Sequence, residues 1–192
     1  PADVILVCEY TGGGFGSKGG GAVSMAIPAL LSKKANAPVM MRVSREEESY
    51  FGRARTNMAG RLKAGFAKDG RILALDLTLA SRCGFSADLS GPINDRAVFH
   101  ADNAYWLPDV AIHSYRCRTN TVSDTAFRGF GGPQGMFAIE AVIDAIARAT
   151  GLDPLDVRKA NLYGTNERNV TPYGMTVEDN IAPALIEHLE QT

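Results

Sequence analysis

Residues 58–81 read MAGRLKAGFAKDGRILALDLTLAS, and this stretch decides the fold. Its two long runs flank Asp69-Gly70, and LALDLTL at 73–79 alternates with a period of two, the pattern of a strand with one face buried. Asp-Gly between such runs is a strong short-range signal for a hairpin. The stretch therefore predicts two antiparallel strands, around which the rest of the chain must pack.

Toward the C-terminus, residues 90–100 predict a short helix and DVAIHSYRCRTN at 109–120 a further strand. PQGMFAIEAVIDAIARAT at 133–150 predicts a long helix, with Pro133 in its first turn and Gly151 just past its end. Asp153 as N-cap and Pro154 at the first helical position open another helix, and Val177 to Glu190 predicts a last one.

Toward the N-terminus, Ser44 caps a short helix that begins with Glu46, Glu47 and Glu48. A strand from Pro38 to Ser44, a helix from about Ala22 to Lys34 and a strand from Val4 to Tyr10 complete a β–loop–α–β unit. Pro28 lies inside that helix and is expected to kink it unless it falls in the first turn. The fold class is α+β: a mixed β-sheet with helices packed on it, strand–glycine loop–helix units and one antiparallel hairpin. Residues 1–192 are expected to form one unit, with a division into subdomains of about 1–120 and 121–192 as the alternative.

Composition narrows the partners. Twenty Lys and Arg stand against 21 Asp and Glu, for a formal charge of −1, which offers no electrostatic footprint for nucleic acid or an anionic membrane. The apolar stretch GAVSMAIPALL is too short to span a bilayer, so a cytoplasmic, soluble protein is expected. Cys8, Cys83 and Cys117 are far apart and never in a C-x-x-C pattern; buried free thiols in a reducing compartment are expected. The opening PADVILV, without an initiator methionine, points to an internal portion of a longer protein.

Two glycine clusters carry the functional signal. TGGGFGSKGGG at 11–21 contains seven glycines, and TAFRGFGGPQG at 125–135 adds four more. Both lie where a strand should give way to a helix, a setting in which unpaired N–H groups favour anionic groups. Gly12, Gly13, Gly14 and Gly16 would let the main chain reach a phosphate, an oxo group or a pterin ring; tight-turn chemistry explains one or two of them. A Walker-A loop is excluded, because Lys18 stands between Ser17 and Gly19. A dinucleotide fingerprint threads through Gly14, Gly16 and Gly19, but Arg42 stands where the acidic residue belongs. In the second cluster, Arg128 and Phe130 stand on a loop that Gly129, Gly131 and Gly132 keep bare, a cation and an aromatic face beside an open space, suited to a planar, anionic or electron-rich ligand.

Taken together, GGGFGSK, TAFRGFGGPQG, DRAVFHADNAY and RKANLY resemble the molybdenum-cofactor-binding subunit of the xanthine dehydrogenase and aldehyde oxidase family, the molybdenum hydroxylases. The resemblance covers essentially the whole chain, while the family's subunit is several times longer. It implies a molybdopterin cofactor contacted by Gly13, Gly14, Phe15 and Gly16, with Arg128 beside it and Phe130 stacked on an aromatic substrate. Arg96 matches the arginine that orients a purine and stabilises charge developing on it, a catalytic and substrate-binding role. The implied reaction hydroxylates an N-heterocycle or an aldehyde with oxygen from water. The implied partners are the remainder of the subunit, with iron–sulfur clusters and FAD on other segments or subunits.

The chain departs from the family in two ways. Gly19 replaces the acidic residue of xanthine-oxidising members, so another N-heterocycle or an aldehyde is at least as good a candidate substrate. The general-base glutamate belongs to a later segment, and Glu140, Glu178, Glu187 and Glu190 lie outside its motif, so this chain alone is expected to be inactive. His100, His113 and His188 lack ligand spacing and read as structural; Glu46 to Glu48 read as a solvated helix start. Two other readings stay open: a nucleotide- or phosphate-binding module using the first loop only, and a cofactor-free inactive fragment.

Overall fold

The structure is a computed structural model that describes residue 10, residues 12–16, residue 18, residues 22–51 and residues 54–192. The expected hairpin is its centre. β1 (Met58–Phe66) and β2 (Ile72–Gly84) pair antiparallel from Met58 opposite Ser81 to Phe66 opposite Ile72. The turn closes through Ala67 N–H to Arg71 O at 2.9 Å and Gly70 N–H to Ala67 O at 3.0 Å. β3 (Val110–Arg118) then joins β2 in parallel, giving the order β1-β2-β3 and the mixed sheet expected from the sequence. A parallel partner needs a crossover connection, and α3 (Ser90–Phe99) provides it.

The period-two pattern of β2 turns Leu75, Leu77 and Leu79 to one face, where they are buried. α4 (Gly132–Thr150) covers that face with Ile139, Val142, Ile143 and Ile146, spaced three and four residues apart. Each such side chain contributes about 1.5–3 kcal/mol by leaving water. α4 stops at Gly151, whose left-handed backbone donates N–H to Ala147 O. α5 (Pro154–Asn161) begins where Asp153 accepts from Leu155 N–H at 2.7 Å. Val157 from α5 and Ala97 from α3 complete one core with the sheet.

Further elements flank this core. α2 (Arg45–Phe51) starts with a reciprocal cap: Ser44 Oγ accepts from Glu47 N–H at 3.2 Å, and Glu47 Oε2 accepts from Ser44 N–H at 2.8 Å. The Ser44 backbone N–H, with a further contribution from the Ser44 hydroxyl, holds the Glu47 carboxyl below the usual range. α1 (Ala22–Ala35) runs through Pro28, which lies in its interior rather than its first turn. Met25, Ile27, Leu30 and Leu31 of α1 are exposed, as are Leu185 and Leu189 of α6 (Ala182–Glu190). Among the described residues no helix is long and apolar enough to cross a membrane.

Several expectations need correction. Residues 38–44 form no strand, and Met40 and Val43 are exposed; β-branched composition does not make a strand without a neighbour to pair with. The strand expected from Val4 lies outside the described residues except for Tyr10, which is exposed coil. α6 starts at Ala182 instead of Val177, because Thr176 bridges Val170 and Val177 N–H is bonded to Asn169 O at 2.7 Å. Cys83 is buried as expected, but Cys117 is exposed on the edge strand β3.

One buried amide locks the hairpin to α5. Asn161, 1% exposed, accepts from Ile72 N–H at 2.8 Å and donates to Gly70 O at 2.9 Å and Val157 O at 2.8 Å. Asn161→Ala leaves Ile72 N–H and Gly70 O without these partners, and unsatisfied buried groups cost about 1–3 kcal/mol each. The urea midpoint should fall by an amount corresponding to about 3 kcal/mol.

A second buried group gives a pH-dependent prediction. Asp102 is 4% exposed and accepts from Tyr163 OH at 2.6 Å. Burial raises its carboxyl above the usual range, against the opposing effect of that bond; burial and Asp102 also push the Tyr163 phenol well above its own. A raised carboxyl favours the fold below the ordinary aspartate range and loses that contribution as pH climbs through the raised value. Asp102→Asn keeps an acceptor for Tyr163 without the charge, so its stability relative to wild type should improve over that climb, read from paired thermal melts across the acid range.

Candidate functional site

The two glycine loops touch. At Gly16, φ is +104°, and an added Cβ would lie 2.4 Å from Ala126 O and 2.9 Å from Phe127 N. Only glycine permits this backbone-to-backbone approach. The Arg128 guanidinium carbon lies 5.6 Å from the centre of the Phe15 ring, within cation–π range. Among the described residues, a Cβ at Gly14 would meet nothing within 4 Å. Gly13, Gly14, Phe15, Gly16 and Arg128 are thus assembled along one rim.

The second loop is braced from below by residues that no motif singled out. Arg55 Nη2 donates to Arg128 O at 2.7 Å, and its guanidinium lies 4.6 Å from the Phe127 ring centre. Thr125 N–H reaches Ala54 O at 2.9 Å, and Gln134 Nε2 donates to Thr56 O at 2.9 Å. The loop's base is fixed by Asp124, 2% exposed, which takes Arg82 Nη2 at 2.9 Å, Arg82 Nε at 3.2 Å and Asn57 N–H at 3.2 Å. Arg55 Nη1 is buried and has no hydrogen-bond partner among the described residues. Nothing periodic marks Arg55 or Asp124 in the sequence, which is why the sequence reading missed both.

Arg96 and Phe130, named from separate motifs, meet in one open concavity of about 400 Å³ lined also by Pro92, Asp95, Phe99 and His100. Arg96 Nε donates to His100 Nε2 at 3.2 Å. His100, which reads from the sequence as a structural residue, therefore lines the same space; the signal was its position four residues beyond Arg96 on a helix. Asp95 is the lining carboxylate, and it accepts from Arg116 Nη2 at 2.8 Å. Glu140 serves elsewhere, accepting from Asn103, Tyr105 and Arg158; burial is the largest cause pushing the Tyr105 phenol above its usual range, with Glu140 adding to it.

The glycines after Phe130 serve the packing of two helices. At Gly131, φ is +101° and a Cβ would fall 2.0 Å from Ile93 O; at Gly135 it would fall 2.2 Å from Ala97 O. They let the first turn of α4 lie against the backbone of α3, which sets Phe130 beside Arg96. Among the described residues no group of three or more His, Cys, Asp or Glu is placed to hold a metal ion directly. The site instead offers main-chain groups, guanidinium cations and an aromatic face, with an unpartnered buried guanidinium nitrogen beneath. That donor set fits an anionic, hydrogen-bonding cofactor rather than a bare ion.

Substitutions at these glycines separate overlap from backbone strain. Gly135→Ala should destabilise by about 2 kcal/mol through overpacking. Gly131→Ala adds the cost of a left-handed backbone, about 1–2 kcal/mol more. Gly14→Ala, whose added Cβ meets nothing within 4 Å among the described residues, should stay within about 0.5 kcal/mol of wild type. Denaturant midpoints of the three variants check the order.

Residues 1–162 match the molybdopterin cofactor-binding domain family. Nicotinate hydroxylase hnxS of Emericella nidulans is 38% identical over 182 residues, covering 94% of this chain and 13% of that protein. Xanthine dehydrogenase/oxidase of Gallus gallus is 40% identical over 176 residues, covering 91% of this chain and 13% of that one. In three dimensions, quinoline 2-oxidoreductase from Pseudomonas putida 86 superposes with a TM-score of 0.80 at 28% identity, covering 94% of this chain and 23% of the other. The chain thus spans a small part of the length of the curated relatives it matches. By the family match over residues 1–162, these relatives and the shared fold, the chain belongs to the molybdopterin cofactor-binding domain family of the molybdenum hydroxylases.

Proposed function

We propose that this chain forms one wall of the cofactor and substrate site of a molybdenum hydroxylase that acts on an N-heterocycle or an aldehyde, with oxygen taken from water. The observation that carries the reading is the contact between Gly16 and Ala126, which joins the two loops into a single rim beside the Arg96–Phe130 concavity. A phosphate-binding module would use the first loop alone.

The roles follow from chemistry. The main chain of Gly13, Gly14, Phe15 and Gly16 can approach the cofactor without side-chain obstruction, and Arg128 supplies a cation to its anionic part. Phe130 offers a face for stacking a planar substrate. Arg96 donates to a carbonyl or ring nitrogen of the substrate and offsets negative charge that grows there as the ring is attacked. When bound, the cofactor supplies the two-electron redox chemistry, which no side chain of this protein could provide. Gly19 in place of an acidic residue argues for an N-heterocycle other than xanthine, or an aldehyde.

The general base comes from another segment in this reading. Among the described glutamates none lines the Arg96–Phe130 concavity, and Glu190 is engaged by Lys159. The rest of the subunit, and iron–sulfur and FAD segments or subunits, complete the enzyme. Exposed apolar side chains on α1 and α6, and Phe137 at 77% exposure on α4, supply surface for such contacts.

Metal analysis by mass spectrometry tests the proposal, on protein purified alone and together with its co-encoded chains. Molybdenum should appear in stoichiometric amount with the partners, and Arg128→Met should lower its content several-fold. Nucleotide in place of molybdenum in both preparations would overturn the reading.

A further inference from the structure

His100 is the lining residue of the Arg96–Phe130 concavity that the reading above leaves without a task. Its geometry is specific. It caps the C-terminus of α3, its N–H bonded to Arg96 O at 3.1 Å, while its ring nitrogen Nε2 lies 3.2 Å from Arg96 Nε. A guanidinium can only donate. The Nε2 that faces it is therefore the lone-pair nitrogen, and the proton of the neutral ring sits on Nδ1.

The ring is also seated from the opposite side. A Cβ on Gly132 would lie 3.0 Å from His100 Cδ2, so the first turn of α4 leaves room for the imidazole and little more. That turn also carries the loop bearing Phe130. The imidazole is thus held between the helix that presents Arg96 and the segment that presents Phe130.

The choice of a neutral acceptor has a consequence for Arg96. An arginine is commonly steered by a carboxylate, which also offsets its charge. Here the nearby Asp95 is engaged by Arg116, and among the described residues Arg96 has no carboxylate partner within salt-bridge distance. The bond to His100 uses Nε–H and leaves the two terminal amino groups and the whole positive charge available to the concavity.

We infer that His100 is a positioning residue: its neutral imidazole fixes the rotation of the Arg96 guanidinium about its own chain, without quenching its charge, so that the terminal N–H groups meet a carbonyl or ring nitrogen of a heterocyclic substrate. This rests on the assignment of Arg96 to substrate orientation. The arrangement depends on the lone pair of the neutral ring. A protonated ring has no lone pair for Arg96 and places a second cation beside it. Among the described residues, the charged groups near the ring are Arg96 on its own helix, Asp102 two residues on, which attracts a charged ring, and Asp95, which lines the same concavity and is paired with Arg116. Gly132 and Phe130 from the facing segment bring no charge.

The test uses the molybdenum-loaded protein and a carbonyl-bearing N-heterocycle it hydroxylates, with kcat/KM and equilibrium Kd measured for each variant. His100→Leu should lower kcat/KM on the order of tenfold or more, since misoriented groups cost that much or more, and should raise Kd with it. His100→Gln, whose amide oxygen can accept from Arg96, should retain most of the wild-type activity and affinity. If His100→Gln loses as much as His100→Leu, or if His100→Leu binds the heterocycle as tightly as wild type, the positioning role is wrong. Should His100→Leu fail to fold, His100→Gln still decides, since loss of its affinity for the heterocycle would overturn the role. Failure of the underlying family reading shows separately, as absence of molybdenum from the wild-type protein.

Discussion

The close approach of α4 to α3 is the constraint on which the candidate site depends. Hydrogen rather than methyl at Gly131 and Gly135 allows two carbonyl oxygens of α3 to occupy space that any other residue would fill. Three consequences follow from that vacancy. The loop before α4 turns back so that Phe130 faces Arg96, the His100 ring slots against Gly132, and the remainder of α4 is aimed along β2, where its isoleucines find the leucines of the sheet. Dispersion and burial then hold a geometry that sterics has selected.

The site's electrostatics would be invisible in a charge count. A chain with a formal charge of −1 gathers Arg55 and Arg128 under one loop and Arg96 beside it, while Arg82, Arg116 and Arg158 are paired with Asp124, Asp95 and Glu140. The paired arginines brace the scaffold. The bond from Arg82 to buried Asp124 shows the division well: the carboxylate is satisfied from three directions, and the second loop starts from a fixed point.

Legibility in the sequence followed the range of the interaction. Asp69-Gly70, the Ser44–Glu47 cap, Gly151 and Asp153 act on their own neighbours in the chain, and each feature formed as expected. Residues 38–44 failed as a strand because pairing is a property of a neighbour, not of a segment. The glycines at 131, 132 and 135 were visible in the sequence, but local sequence shows that a backbone is bare and not what approaches it. His100 was judged by metal-ligand spacing when its relevant neighbour was one helical turn away. Asn161 sat inside a recognisable motif, yet two of its three bonds reach a hairpin about 90 residues away in the chain.

The brace from Arg55 to Arg128 joins residues 73 positions apart, whereas the hairpin closes over a few. In kinetic terms the two belong to different epochs. The hairpin can form from local encounters, but the loop-on-loop rim must wait until long segments between its parts have been ordered, because closure entropy is met before distant contacts repay it. The capacity to receive a ligand thus rests on contacts of longer range than those that close the scaffold's hairpin.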